Sequence, residues 1–97
     1  MIDTGSGPPV VLIPGIQGRW EWMAPAIEAL SRSHRVLSFS LGEALEGPAP
    51  GQTPFEAWLA TIDTLIDRAT QTRAAVIGVS FGGLIAARYA ASRPSRV

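Results

Sequence analysis

Two apolar runs constrain the fold of this chain more than anything else in it. Val10-Val11-Leu12-Ile13 and Ala74-Ala75-Val76-Ile77-Gly78-Val79 carry no polar residue on either face. Side chains alternate between the two faces of a strand, so a strand that is apolar throughout must be covered on both sides. A parallel sheet with helices above and below supplies that cover. Arg35-Val36-Leu37-Ser38-Phe39-Ser40 reads as another strand between the two runs.

The segments between and after the strands have helical spacing. Trp22, Met23, Ile27 and Leu30 predict a short helix starting near Met23 or Pro25. Thr53-Pro54-Phe55-Glu56 supplies an N-cap hydroxyl, a first-turn proline and a capping-box glutamate in order, so a helix is predicted from Pro54. Its stripe of Phe55, Trp58, Leu59, Ile62, Leu65 and Ile66 faces a sheet, and Glu56, Asp63 and Asp67 form the polar side. Gly82 to Ser92 reads as an alanine-rich helix ended by Pro94. The stretch before Pro8-Pro9 reads as a Gly/Ser-rich leader, and Gly42 to Gly51 as a loop. Strand and helix alternating three times predict an α/β fold whose parallel strands are joined by right-handed crossovers.

Composition removes several function classes. The 97 residues fit one domain, and eight acidic residues balance eight arginines scattered along the chain, which leaves no basic footprint for nucleic acid. Without cysteine there is no thiolate nucleophile or zinc-ribbon pattern. The apolar runs fall far short of the ~20 residues that span a bilayer, and Met1 to Gly7 has neither the basic nor the apolar region of an export signal. A cytoplasmic location, with no membrane or nucleic-acid partner, is the expectation.

The chemistry concentrates at Gly78-Val79-Ser80-Phe81-Gly82-Gly83, where a buried strand gives way to a helix. This is G-x-S-x-G in the context its mechanism needs. A serine on so sharp a turn sits in a sparsely populated backbone conformation, with its hydroxyl lifted off the sheet. Glycines two places before and two places after it leave room for the bend. The N–H groups opening the next helix point at the same spot and can hold negative charge on a carbonyl oxygen. The plainer reading of Ser80 is an N-cap, but the flanking glycines and the buried strand favour the nucleophile. Nucleotide readings fail: a dinucleotide fold wants glycine where Ser80 stands and an acidic residue further on, and a phosphate loop wants a lysine, which this chain lacks.

With these residues the chain resembles the N-terminal part of an α/β-hydrolase fold protein. Pro9 to Gly18 resembles the third strand and oxyanion loop of that family, Arg35 to Leu41 the fourth strand, and Ala74 to Ser92 the fifth strand, nucleophile elbow and following helix. The resemblance implies a strand order 4-3-5 in the family's naming, with helices on both faces. It implies Ser80 as nucleophile of a serine hydrolase acting on an ester or similar acyl substrate. The N–H groups of Phe81 and Ile16 would hold the oxyanion, Gly78, Gly82 and Gly83 would form the elbow, and neither metal nor organic cofactor is needed. Pro14-Gly15 stands where many members have His-Gly. Serine at the elbow sets the chain apart from the family's aspartate-nucleophile branches, the dehalogenase-like and epoxide-hydrolase-like members. Gln17 and Trp20 are expected to line the substrate pocket, Trp22 to anchor the first helix on the sheet, and Arg88, Arg93 and Arg96 to face solvent.

A serine hydroxyl needs a base, which in this family is a histidine held by a carboxylate. No acidic residue follows Asp67, and His34 is the only histidine. A six-residue strand separates the sheet end that carries His34 from the end that carries Ser80, roughly 20 Å at the usual rise. The 4-3-5 order also leaves one apolar face of the Ala74 strand uncovered at an open edge. These features lead to the expectation that residues 1–97 are part of a longer hydrolase domain, truncated before the triad acid and base. The missing C-terminal part of the fold is then the expected partner. The alternative is a non-catalytic remnant that needs a complementary chain and has no activity of its own.

Overall fold

The computed structural model describes residues 1–15, 18–46, 51–69 and 72–97. Among these residues four strands form one sheet in the order β1-β3-β2-β4: β1 (Ile2–Thr4), β2 (Pro9–Ile13), β3 (Arg35–Ser38) and β4 (Ala75–Gly78). β2 lies in the middle, parallel to β3 on one side and to β4 on the other, with Val11 in register with both Leu37 and Val76. The parallel trio β3-β2-β4 is the order expected from the resemblance.

β1 corrects the sequence reading, which treated the opening residues as a leader. It pairs antiparallel with β3, Ile2 opposite Ser38 and Thr4 opposite Val36. Arg35 fastens it through a two-pronged bond to Asp3, Nε to Oδ1 at 2.9 Å and Nη2 to Oδ2 at 2.7 Å. Gly5 and Gly7 then turn the chain with φ of +84° and +122°, values that favour glycine.

Helices cover both faces. On one, α3 (Pro54–Arg68) and α4 (Phe81–Ser92) pack on Val11, Ile13, Leu37 and Phe39. On the other, α1 (Ala24–Ser31) and the 3₁₀ turn before it (Trp20–Met23) bring Met23 and Ile27 onto Leu12 and Val36. Burying side chains of this size contributes roughly 1.5–3 kcal/mol each, so both layers are needed to hold β2. α3 starts at the predicted residue: Thr53 Oγ1 accepts from the Glu56 N–H at 3.2 Å, and Glu56 Oε1 accepts from the Thr53 N–H at 3.3 Å.

The region read as one loop opens with a helical turn, α2 (Leu41–Ala44). Ser40 and Glu43 form its cap, with the Ser40 N–H donating to Glu43 Oε1 at 2.9 Å. β4 is the open edge expected of it. Val76 packs under α3 and α4, whereas Ala75 and Ile77 face outward, Ile77 at 41% exposure. No helix among the described residues is long and apolar enough to cross a membrane.

Arg93 and Arg96 correct a second expectation. Neither points freely into solvent: Arg93 Nε donates to Asp63 Oδ2 at 2.7 Å, and Arg96 Nη2 to Asp67 Oδ1 at 2.6 Å. Asp63 and Asp67 stand one turn apart on α3, so the chain leaving α4 lays two guanidinium groups along them. Tyr89 joins from α4, its hydroxyl donating to Asp63 Oδ1 at 2.7 Å. Arg88 is exposed as expected, and its guanidinium lies 4.5 Å over the Phe55 ring.

Candidate active site

The turn between β4 and α4 is two residues long, Val79 and Ser80. Ser80 has φ +54° and ψ −116° and is the one non-glycine residue with positive φ among the described residues. Such a conformation costs on the order of 1–3 kcal/mol and persists only where the surroundings hold it. They do so here from both ends. The Val79 N–H donates to the Ile13 carbonyl at 3.0 Å, and the N–H groups of Gly82 and Gly83 close on the carbonyls of Val79 and Ser80, each at 2.9 Å.

The glycines do unequal work. A β-carbon on Gly78 would overlap the Gly82 carbonyl, and one on Gly82 would overlap the Ile13 carbonyl. On Gly83 the nearest atom would be the Gly78 carbonyl oxygen at 3.6 Å, an ordinary contact. Gly78 and Gly82 are therefore required by space, and Gly83 is not.

Ser80 occupies the N-cap position of α4, yet its side chain makes no capping bond and is exposed. The plain cap reading thus has no bond to support it. Phe81 provides the first N–H of the helix, which has no partner among the described residues and lies where the helix dipole favours negative charge.

The loop leaving β2 reaches the same place. A β-carbon on Gly15 would stand 3.6 Å from Ser80 Cβ and 3.3 Å from the Val79 carbonyl oxygen. The Gly18 N–H closes the loop on the Gly15 carbonyl at 2.8 Å, with Gly18 at φ +73°. Ile16 and Gln17, singled out for an oxyanion amide and for pocket lining, lie outside the described residues.

A cleft of about 320 Å³ opens beside Ser80, lined by Gly15, Gly18, Arg19, Trp22, Met23 and Val79. Neither tryptophan stands where it was expected. Trp20 does not line this cleft; it is half-buried against the cluster of Leu12, Met23, Ile27 and Val36. Trp22, expected as the anchor, is 70% exposed at the cleft, and Met23 at 7% takes the anchoring place. The signal was present in the spacing, because Met23, Ile27 and Leu30 recur at four and three whereas Trp22 is out of phase. Arg19 and Glu21 pair at the rim at 3.0 Å, and the hydrogen bond from Arg19 holds the Glu21 carboxyl below its ordinary pKa.

His34 lies at the other end of the sheet. It borders a separate cavity with Pro8, Pro9 and Arg73, by the amino ends of the parallel strands, and its Nδ1 is 2.8 Å from Ser33 Oγ. Ser80 follows the carboxyl end of β4. The structure therefore keeps the chain's histidine and this serine apart. Among the described residues, no group of three or more His, Asp or Glu could hold a metal ion.

What the arrangement offers is an exposed hydroxyl with no capping bond on a strained turn, next to a helix-opening amide and Gly15. Comparison with known proteins gives this geometry a context. A family model described as alpha/beta hydrolase fold matches residues 8–97. Over 98% of its length the chain is 32% identical to a 2-hydroxy-6-oxo-2,4-heptadienoate hydrolase of Pseudomonas putida, of which it covers 36%. The naproxen esterase of Bacillus subtilis superposes with a TM-score of 0.76 at 21% identity, over 98% of this chain and 35% of that one. An epoxide hydrolase from Vigna radiata does so with 0.75 at 22% identity, over 98% and 32%. The chain thus spans about a third of the length of these relatives, and the two solved structures share its fold.

Proposed function

Because this chain belongs to the alpha/beta hydrolase fold family, we propose that it is the nucleophile-bearing part of a serine hydrolase acting on a carboxylic ester or similar acyl compound. One observation carries the reading: the Ser80 hydroxyl is exposed on a positive-φ turn, makes no capping bond, and is next to the helix-opening Phe81 amide. A helix cap would turn its oxygen toward the helix amides, whereas a nucleophile has to leave them to the substrate.

In this reading Ser80 Oγ attacks the acyl carbon as its proton passes to a base, and the carbonyl electrons move onto oxygen. The N–H of Phe81 and that of Ile16 hold this oxyanion. Its collapse expels the alcohol, which takes up the proton, and leaves an acyl group on Ser80. Water then attacks the acyl carbon, again losing a proton to the base, and the collapse of this second intermediate breaks the bond to Ser80 Oγ, which takes that proton back as the acid leaves. Ser80 stands where the aspartate-nucleophile branches of the family carry a carboxylate, which supports an acyl substrate over an epoxide.

The base and its acid come from the remainder of the fold. Two features support that assignment: His34 is at the wrong end of the sheet, and β4 offers an open edge with Ile77 and Val79 exposed beside it. The same features favour a second reading of the isolated chain, a non-catalytic piece that requires its complement.

The test has two arms. The 97-residue chain alone, given a short-chain activated ester, is expected to show no turnover above denatured protein, and activity abolished by Ser80→Ala would overturn the claim that it lacks a base. In the full-length protein, with the reading frame beyond codon 97 supplying an Asp and a His, Ser80→Ala is expected to lower kcat by several orders of magnitude. Near-normal turnover in that variant removes Ser80 from the mechanism.

A further inference from the structure

Trp58 lies on the apolar stripe of α3, and burial alone accounts for its ring. Burial does not account for its indole N–H, which needs a partner when it leaves water. That partner is the Leu41 carbonyl at 3.1 Å. The Leu41 N–H in turn donates to the Gly18 carbonyl at 2.6 Å, and the Gly18 N–H to the Gly15 carbonyl at 2.8 Å. On its other side the indole meets the Phe81 ring edge-on, with centroids 5.8 Å apart. Phe55 closes the trio at 5.2 Å from Trp58 and 6.2 Å from Phe81.

Trp58 therefore reaches both sides of Ser80, Gly18 and Gly15 through a relay of hydrogen bonds and residue 81 through its ring. We infer that Trp58 is a positioning residue, which sets the place of the Phe81 amide relative to Gly15 and Gly18 beside Ser80. The inference rests on the reading that an oxyanion is held between those two sides. Donors to a developing oxyanion work only within a few tenths of an ångström of their place. The end of β2 meets α4 directly at Gly82, and the tie from α3 through Leu41 reaches Gly18 from a second direction.

Trp58→Phe keeps an aromatic ring at the position and deletes the N–H. In the full-length protein, hydrogen exchange at the Leu41 and Gly18 amides is expected to quicken about 3- to 10-fold, the range for one lost hydrogen bond. The amides of Val11 and Leu37 in the sheet are expected to keep their rates. Unchanged exchange at Leu41 and Gly18, or an equal rise in the sheet, which is what a mere core filler would produce, overturns the inference. Trp58→Leu removes the ring contact as well and is expected to enlarge the local effect; should it not fold, Trp58→Phe decides alone. In the full-length protein Trp58→Phe is expected to lower kcat on an activated ester by a similar factor with KM within about twofold. Turnover that survives Ser80→Ala defeats the hydrolase reading, whereas Ser80-dependent turnover with unchanged kcat in Trp58→Phe defeats the positioning role alone.

Discussion

Gly82 lies so close to Ile13 that a β-carbon on it would overlap the Ile13 carbonyl oxygen. The contact seats the first turn of α4 on the end of β2 and fixes where Ser80 sits above the sheet. Both sides of it are backbone, so neither can swing away. Gly82→Ala is expected to cost about 3 kcal/mol or more, the range of a forced backbone shift. Gly83→Ala, one residue on, meets only an ordinary contact at 3.6 Å and replaces a poor helix former, so it is expected to gain roughly 0.5–1 kcal/mol. Chemical denaturation of the two variants checks the opposite signs, and equal losses would overturn the steric account.

Ser80 itself is held at φ +54°, and glycine adopts such a conformation without the steric penalty of a β-carbon. Ser80→Gly is expected to raise stability by about 1 kcal/mol, the relief of strain less the greater freedom of glycine in the unfolded chain. Ser80→Ala keeps the β-carbon and is expected to change stability by no more than about 0.5 kcal/mol. Both remove the hydroxyl. A stabilised, inactive Ser80→Gly protein is the mark of strain kept for chemistry, and a destabilised one would place the strain elsewhere.

The parts of the fold legible in the sequence are those that short-range rules decide. Val10 to Ile13 had to be a covered strand whatever its neighbours, and Thr53 with Glu56 marks a helix start using four residues. The G-x-S-x-G turn was legible for the same reason, since strand, bend and helix adjoin in the chain. β1 was not, because three residues carry little pattern and its partner β3 comes only after α1. The pairing of Arg93 and Arg96 with Asp63 and Asp67 was hidden in the same way. It exists only because α4 returns alongside α3, and charges on two helices do not show in sequence which will meet. The loop at Gly15 and the turn at Ser80 come together through strand order, which the family resemblance supplied and alternation alone did not.

Met23 and Trp22 test the packing of the first crossover. Met23 is buried on Leu12 and Ile27, whereas Trp22 stands in the cleft. Met23→Ala is expected to cost about 2–3 kcal/mol through the lost burial and the cavity left behind. Trp22→Ala is expected to cost less than about 0.5 kcal/mol, as exposed positions do. Fluorescence supplies an independent check. A water-soluble quencher should act mainly on Trp22, so Trp22→Phe is expected to remove most of the quenchable emission and leave that of the half-buried Trp20 and the buried Trp58.

Tyr89 makes the Asp63 junction readable by pH. It is the one tyrosine of the chain, fully buried, and its pKa is pushed up to about 12, first by burial and then by the hydrogen bond its proton makes to Asp63. In the unfolded chain it titrates near ~10. The folded state therefore holds the proton more tightly, so this contribution to stability is complete below about pH 10 and is lost as pH rises through about 12. At full ionisation the loss amounts to roughly 2–3 kcal/mol. Tyr89→Phe is expected to remove that alkaline slope, at a cost near neutrality of about 1–2 kcal/mol for the missing bond to a charged partner. Tyrosinate absorbance reports this group alone. A midpoint near ~10 in protein that is still folded would show that the hydroxyl is neither buried nor held by Asp63.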